Sequence, residues 1–376
     1  MNILIAPNGF KECADSVDIA TSLAEYLTDQ NSLNLLIKPI TDGGDGFQAV
    51  CELLFDVKQS TYCIKRNYDD QLFNYKVLYN EFEGKIYIES AELFGIKSIP
   101  KSNLNPLLLN SETLGIALLM LKEDVEKGNF KIQHVYIGIG GTATIDLGIG
   151  TCSHLGLTLF DDRGNKLNPI PENFIKVRSY KFSPVNLPFK ISFIVDVDTP
   201  LLDEPGAIEI YGKQKGAKGN DLSLIKNGIV NLLKLFSNNS LLNIPSKLNG
   251  AGGGVASGFS IFYKSEIIPA RDFIRKTILN NINSDQIDVV ITGEGKFDFQ
   301  SFEGKGIGVL LEIFKDKNIP IFIICGSAEI NNKINLPKNI RVIELQTFFN
   351  NEIESIKNIK IGLAKASQLI INELFH

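Results

Sequence analysis

Residues 135–150 read VYIGIGGTATIDLGIG, and the rest of the chain is organised around them. Val135 to Ile139 alternates apolar with small residues and ends in Gly140-Gly141, the pattern of a buried strand closed by glycines. Paired glycines carry no Cβ and tolerate positive φ, so backbone N–H groups can turn toward a ligand there. Thr142, Thr144 and Asp146 follow at once. A helix starting near Thr142 or Thr144 would add the positive end of its dipole, which suits an anion. A plain strand–turn–helix corner, with glycines for packing, accounts for the same residues equally well.

The chain has 376 residues, a length that suggests two domains, although one large α/β domain would also hold it. Its 44% hydrophobic and 22% charged content belongs to a globular protein with a sizeable core. The net charge of -5 argues against a nucleic-acid surface. Cys13, Cys51, Cys63, Cys152 and Cys325 are scattered, odd in number and without metal-ligand spacing, as reduced thiols would be. With only His134, His154 and His376, a histidine metal site or triad has little to draw on. Met1-Asn2 leads into Ile3 without a basic start, and no apolar run approaches the length of a bilayer span. The expectation is a cytoplasmic protein with neither a membrane nor a nucleic-acid partner.

Residues 2–6 (NILIA) read as a buried strand ended by Pro7, followed by the loop Asn8-Gly9-Phe10-Lys11-Glu12. A helix comes next, with Ser16 as its cap and Val17, Ala20, Leu23, Ala24 and Leu27 on one face. Loops at the carboxyl ends of strands are where open α/β sheets place ligands, so Lys11 is a candidate phosphate partner. A solvated loop lysine is the plain alternative. After a second strand at 33–40, Asp42 and Asp45 are woven through Gly43, Gly44 and Gly46, ahead of a helix at 47–55. Carboxylates on so flexible a backbone suit Mg²⁺ or substrate hydroxyls; a turn before a helix needs only the glycines. From 61 to 89 the texture changes to alternation, as in antiparallel strands, which places a domain boundary near residue 60.

A helix with Leu114, Ala117, Leu118 and Leu121 on one face starts at Asn110 or Ser111 and stops at Gly128. Residues 161–165 (DDRGN) form a hairpin-like turn. The strand 191–195 ends in Asp196-Val197-Asp198, and alternation puts the two carboxylates on one side of an extended chain. That arrangement costs repulsion unless a cation or substrate lies between them. Lys213 and Lys215 sit in a glycine-framed loop, and 248–258 (LNGAGGGVASG) suits a tight packing corner or a phosphate loop. A strand at 288–292 runs into Gly293-Glu294-Gly295, and Gly304-Lys305 opens a helix carrying Ile307, Leu310, Leu311 and Phe314. A strand at 319–325, another at 341–345 and a helix at 357–371 complete the chain, which has no internal repeat.

Taken in order, these loops resemble the class I glycerate kinases, bacterial ATP-dependent kinases of D-glycerate, over nearly the whole length. The family's Pro-Asp-Ser-Phe-Lys loop is similar to Pro7 through Lys11, and its Asp-Gly-Gly-Glu-Gly turn to Asp42 through Gly46. Its Gly-Gly-Ser-Ala-Thr-Asn-Asp segment is similar to Gly140 through Asp146. Its Asp-Val-Asp-Asn-Pro-Leu and Pro-Gln-Lys-Gly-Ala segments match 196–201 and 214–217. Its Ile-Thr-Gly-Glu-Gly run and the Asp-x-Gln-Thr and Gly-Lys after it match 291–295, Asp298, Gln300, Ser301, Gly304 and Lys305. Each motif alone is weak; six in one order make chance agreement improbable. Asn8 and Gly9 depart from the family's Asp and Ser, Ile145 from Asn, Phe47 from Thr, and Thr113 from Gly.

The resemblance implies two α/β domains flanking a cleft, one built from 1–60 and 285–376 and an inserted one from 61–284. It implies ATP and Mg²⁺ as partners, and a small hydroxy acid, D-glycerate, as acceptor, with 2-phosphoglycerate as product and the 3-phosphate left open. The catalytic group is then Asp196, Asp198, Lys11 and Lys215, with Asp196 and Asp198 sharing base and Mg²⁺ duty. Acceptor contacts fall to Asn8, Phe10, Asp42, Asp45, Gly293, Glu294 and Lys305, and nucleotide contacts to Gly140, Gly141, Thr142, Thr144 and Ser111. The sequence carries neither GxxxxGK[ST] nor a protein-kinase signature, so the common nucleotide folds do not explain it. Two rivals stand beside this expectation. One is a kinase for another small hydroxy acid, motivated by Asn8, Phe47 and Ile145. The other is a catalytically silent binding protein of the same fold, motivated by the carboxylate missing at Asn8.

Overall fold

The computed structural model of the chain describes residues 1–10, 13–28, 33–66, 68–196, 199–302, 306–329 and 336–375. Its strands are β1 (Asn2–Ile5), β2 (Asn34–Ile37), β3 (Lys58–Lys65), β4 (Leu72–Asn80), β5 (Lys85–Glu89), β6 (His134–Ile139) and β7 (Leu157–Phe160). They continue as β8 (Lys166–Leu167), β9 (Ser179–Phe182), β10 (Lys190–Val195), β11 (Glu266–Pro269), β12 (Val289–Phe297), β13 (Ile321–Ala328) and β14 (Ile340–Glu344). The chain divides into two compact units, the first comprising 1–42, 49–54 and 270–376 and the second 43–48 and 55–269. The sequence places the boundaries near 60 and 285. Residues from 270 on go with the first unit because Ile274 and Ile40 bound the space in which Gly306 has no Cβ.

The first unit is built on a five-stranded sheet in the order β14-β13-β12-β1-β2, every pair parallel. A parallel sheet is covered on both faces, which is why Ile3 to Ile5, Val289 to Ile291 and Ile321 to Ile324 are unbroken apolar runs, all buried. Ile3, Ile5, Val289, Ile291, Phe322 and Ile324 form one core with the helices Ser16–Leu27 and Ile359–Phe375. The first helix is capped one residue earlier than the sequence suggests. The Asp15 carboxylate, not Ser16, accepts the Asp18 N–H at 2.8 Å, and Ser16 is buried.

The second unit carries a six-stranded sheet, β11-β10-β6-β5-β4-β3, and a small antiparallel one, β8-β7-β9. β3 and β4, then β4 and β5, pair antiparallel, in agreement with the alternation read from 61 to 89. β5 then joins β6 in parallel, as do β10 and β11, so the sheet changes type at β5. Ile86, Ile88, Val135, Ile137, Ile139, Ile191, Phe193 and Val195 share one large core, to which the helices Glu112–Glu126 and Val255–Phe262 contribute Leu114, Leu118 and Phe259. The 161–165 turn is fixed by the Asp161 carboxylate, which accepts the N–H groups of Arg163 and Asn165 at 2.9 and 2.8 Å. No helix among the described residues is long and apolar enough to cross a membrane.

The glycine-dense corner at 250–258 is a packing device. Gly252, Gly253 and Gly254 all have positive φ, and a Cβ on Gly253 would stand 2.1 Å from the Thr144 carbonyl oxygen. Gly258 lies inside a helix, where alanine is normally better by about 1 kcal/mol. Here its Cβ would fall 1.6 Å from the Leu147 carbonyl oxygen. We therefore expect Gly258→Ala to destabilise the protein by about 3 kcal/mol through overpacking, measured as a lowered midpoint of chemical denaturation. A wild-type or raised midpoint would contradict this packing.

Candidate active site

In the second unit the carboxyl ends of β5, β6 and β10 lie side by side, with Glu89 opposite Gly138 and Val195 opposite Ile139. Ligands in open α/β sheets bind at such ends. The loop after β6 does not become a helix at Thr142 or Thr144 as the sequence suggests. It stays extended: Ala143 N–H donates to the Phe94 carbonyl at 2.9 Å and Ile96 N–H to the Gly141 carbonyl at 2.7 Å. The helix begins only at Ile149, behind Gly148 at φ +64°.

Asp146 is the cause. Its Oδ2 accepts the Ser111 N–H at 2.9 Å, the Ser111 hydroxyl at 2.8 Å and the Gly150 N–H at 2.9 Å, and its Oδ1 accepts the Gly148 N–H at 3.3 Å. One fully buried carboxylate thus satisfies donors at the starts of the helices Ile149–His154 and Glu112–Glu126. Burial pushes its carboxyl up, and the bonds from Ser111, Gly150 and Gly148 pull against that. Ser111, expected to touch nucleotide, is buried with its N–H and hydroxyl committed to Asp146. The anion at this helix start is the protein's own.

Lys215 is buried against the same loop. Its Nζ donates to the Thr144 carbonyl at 2.9 Å and to the Thr142 hydroxyl at 3.2 Å. Desolvation lowers its pKa to about 8, and the charge of Asp146 opposes the fall. An ammonium has three donors, and these contacts use two. The Thr144 hydroxyl is buried without a hydrogen-bond partner among the described residues. Lysine cation and orphaned hydroxyl therefore lie on one short stretch of loop.

The glycines of the 43–46 turn serve close approach. A Cβ on Gly43 would stand 2.6 Å from the Ile194 carbonyl oxygen, one on Gly140 2.4 Å from Gly44 Cα, and one on Gly141 2.3 Å from Asp45 Oδ1. Asp45, expected to meet substrate, pairs with Lys97 at 2.5 Å. The turn is tied to β5 by Glu89, a residue the sequence reading passed over. Its Oε1 accepts the Gly46 N–H at 3.0 Å and its Oε2 the Gln48 N–H at 2.9 Å. Burial raises the Glu89 pKa to about 7, against the pull of those bonds. The only sequence signal was an acidic residue ending an apolar strand. Phe47 packs on Tyr87 with ring centroids 6.4 Å apart, and Ile145 belongs to the large core, so neither departure from the family pattern lines an open pocket.

Asp196 follows β10 directly and is half-buried. Asp198, Lys11 and Lys305 lie outside the described residues. In the first unit, the Gly293 carbonyl at β12 accepts the Asn8 N–H at 2.8 Å, and the Asn8 side chain turns back to accept the Gly9 N–H at 2.8 Å. Glu294 is buried beside them in sequence. Gly293 is required because its Cβ would meet the Ile324 carbonyl oxygen at 2.2 Å. Phe10, expected to touch substrate, is a core residue with Ile3, Ile19 and Leu23. Asp42 ends the first stretch of this unit. Among the described residues no three His, Cys, Asp or Glu side chains converge as a metal cage. Mg²⁺ in phosphoryl transfer needs only one or two carboxylates besides substrate phosphates and water, so Asp196 fits as a donor. Asp146 does not, its oxygens being occupied.

The chain is similar to known proteins along nearly its whole length. A family model described as the glycerate kinase family matches residues 3–374. A protein of Neisseria meningitidis serogroup B named glycerate kinase is 29% identical over 336 residues, covering 87% of this chain and 86% of its own. Escherichia coli glycerate 2-kinase is 26% identical over 340 residues, covering 87% and 85%. In fold, the chain is similar to the crystal structure of a Salmonella typhimurium protein, with TM-score 0.74 at 22% identity, over 100% of this chain and 99% of that one.

Replacing Asp146 by Asn keeps the shape but leaves one acceptor oxygen where donors converge on two. We expect Asp146→Asn to cost about 2–4 kcal/mol, read from the denaturation midpoint. A midpoint unchanged from wild type would show that the cap carries little of the stability.

Proposed function

The chain belongs to the glycerate kinase family, and on that premise we propose that it transfers the γ-phosphoryl group of ATP to a hydroxyl of D-glycerate, giving 2-phosphoglycerate. The observation that carries the reading is Lys215, a buried cation fixed by Thr142 and Thr144 on the glycine loop at the end of β6. Phosphoryl transfer asks chiefly for positioning and for neutralisation of charge on the moving group. Lys215, which uses two of its three donors among the described residues, supplies a cation whose position is paid for before substrate arrives. The glycerate oxygen attacks the γ-phosphorus, the bond to the β,γ-bridging oxygen breaks, and the hydroxyl proton passes to a carboxylate. Asp196 and Asp198 are the carboxylates for that step and for holding Mg²⁺ together with nucleotide phosphates. Bound there, the metal would supply charge neutralisation on the phosphate oxygens.

The backbone at Gly140 and Gly141 with Thr142 is assigned to nucleotide. Asn8, Asp42, Gly293, Glu294, Lys11 and Lys305 are assigned to the acceptor's carboxylate and hydroxyls. The burial of Phe47 and Ile145 removes much of the ground for a less polar acceptor pocket. D-Glycerate is therefore preferred over another hydroxy acid.

Turnover of ATP dependent on D-glycerate, with the product identified by NMR, tests the reading; absence of turnover by folded protein across a panel of small hydroxy acids would end it. Asp196→Asn and Asp198→Asn should each lower kcat by on the order of 10²-fold or more, with the melting temperature held. Near-full turnover in both would remove the carboxylates from the mechanism.

The pH profile gives a second check. Lys215 loses its proton as pH rises through about 8, so kcat/KM should fall on the alkaline side of that value. Between about 8 and its ordinary value of 10.5, the unfolded chain holds more of this proton than the folded one. This group therefore favours folding more as pH rises, and the activity loss is not unfolding. A flat profile to pH 9.5 would contradict the role of Lys215.

A further inference from the structure

We infer that Glu89 is a positioning residue for the proposed reaction, its carboxylate holding the 43–46 turn and through it the adjoining Asp42 in place for the acceptor. The inference rests on the assignment of Asp42, which leads into that turn, to acceptor binding.

Glu89 ends β5 and is 5% exposed. A carboxylate so placed costs free energy that an apolar side chain of similar volume would not. What it gains is specific. Oε1 takes the N–H of Gly46 and Oε2 that of Gln48, two donors at the start of the helix Phe47–Leu54. Helices usually satisfy such donors with a Ser, Thr, Asp or Asn just before the first turn. Here that position is Gly46 at φ +87°, which has no side chain to offer, so the cap comes from a strand 41 to 43 residues away. A remote cap does what a local one cannot: it fixes the turn to the end of the sheet.

Gln48 adds to the hold, its Nε2 donating to the carbonyls of Lys76 and Tyr87, each at 2.9 Å. The Cβ-free contacts of Gly43 with Ile194, Gly140 with Gly44 and Gly141 with Asp45 let the turn seat closely on the ends of β6 and β10. The charges around Glu89 are Asp45 and Glu92, with Lys97 paired to Asp45, and the Tyr75 phenol is buried nearby. Repulsion from two further carboxylates makes Glu89 a poor choice for stability alone.

The test is Glu89→Gln in the full chain, read by amide hydrogen exchange over residues 43–54 and by steady-state kinetics with D-glycerate and ATP. One charge-assisted bond is lost, so exchange at Gly46 and Gln48 should quicken about tenfold or more, and KM for D-glycerate should rise by about the same factor. KM for ATP should stay within about twofold. Gln48→Ala, which removes the bonds to Lys76 and Tyr87 that share the hold, should quicken exchange over the same residues and raise KM for D-glycerate in the same direction. If Glu89→Gln does not fold, Glu89→Asp, which keeps the charge but reaches one donor, carries both readouts. Unchanged exchange overturns the inference, as does faster exchange with a wild-type KM for D-glycerate. If the wild type itself fails to turn over any hydroxy acid, the proposed function falls, and exchange alone then upholds or overturns the hold of Glu89 on the turn.

Discussion

The carboxylate of Asp146 sets where two helices begin and where a buried lysine charge can be kept. Four direct hydrogen bonds from Ser111, Gly148 and Gly150 converge on it. Each donor belongs to a backbone or hydroxyl group that burial would otherwise leave unsatisfied. The loop between β6 and the helix Ile149–His154 must therefore run extended from Thr142 to Ile145, and that extension exposes the Thr144 carbonyl to the Lys215 ammonium. Asp146's negative charge in turn limits how far burial depresses the lysine pKa. Cap, loop and cation form one electrostatic unit.

Around that unit, the loops at the sheet edge pack backbone on backbone. Gly253 closes on Thr144, Gly140 on Gly44, and Gly43 on Ile194. Side chains at these points would hold the loops apart by a van der Waals diameter. The glycine-rich motifs are thus first a packing system, and whatever anion they receive meets a surface of main-chain groups already locked in place. Pre-locked dipoles need no reorganisation when charge develops, the condition under which they help catalysis most.

Much of the fold was legible because its signals are local. The apolar runs of β1, β12 and β13 and the alternation of β3 to β5 need only near neighbours to be read. The errors fell where the deciding partner was remote. Whether Thr142, Thr144 or Asp146 governs the helix start depends on Ser111, 35 residues away. Glu89 had no local pattern, because the donors it satisfies lie 41 and 43 residues distant. The resemblance gives Phe10 and Ser111 to the ligands, yet in the structure their side chains go to the core and to a cap. A motif records which residues accompany a ligand loop, but not which of them face the ligand.

Those interlocked glycines also bear on inheritance. Any missense change in a glycine codon adds at least a Cβ, and at Gly253 or Gly258 that atom would land 2.1 or 1.6 Å from a main-chain oxygen. At Gly43 and Gly141 the added atom also meets a backbone held at positive φ, which L side chains rarely adopt. No allele with a different residue at these positions is a conservative one, however small the new side chain. The loops that look simplest in the sequence are where the gene has the least room to drift.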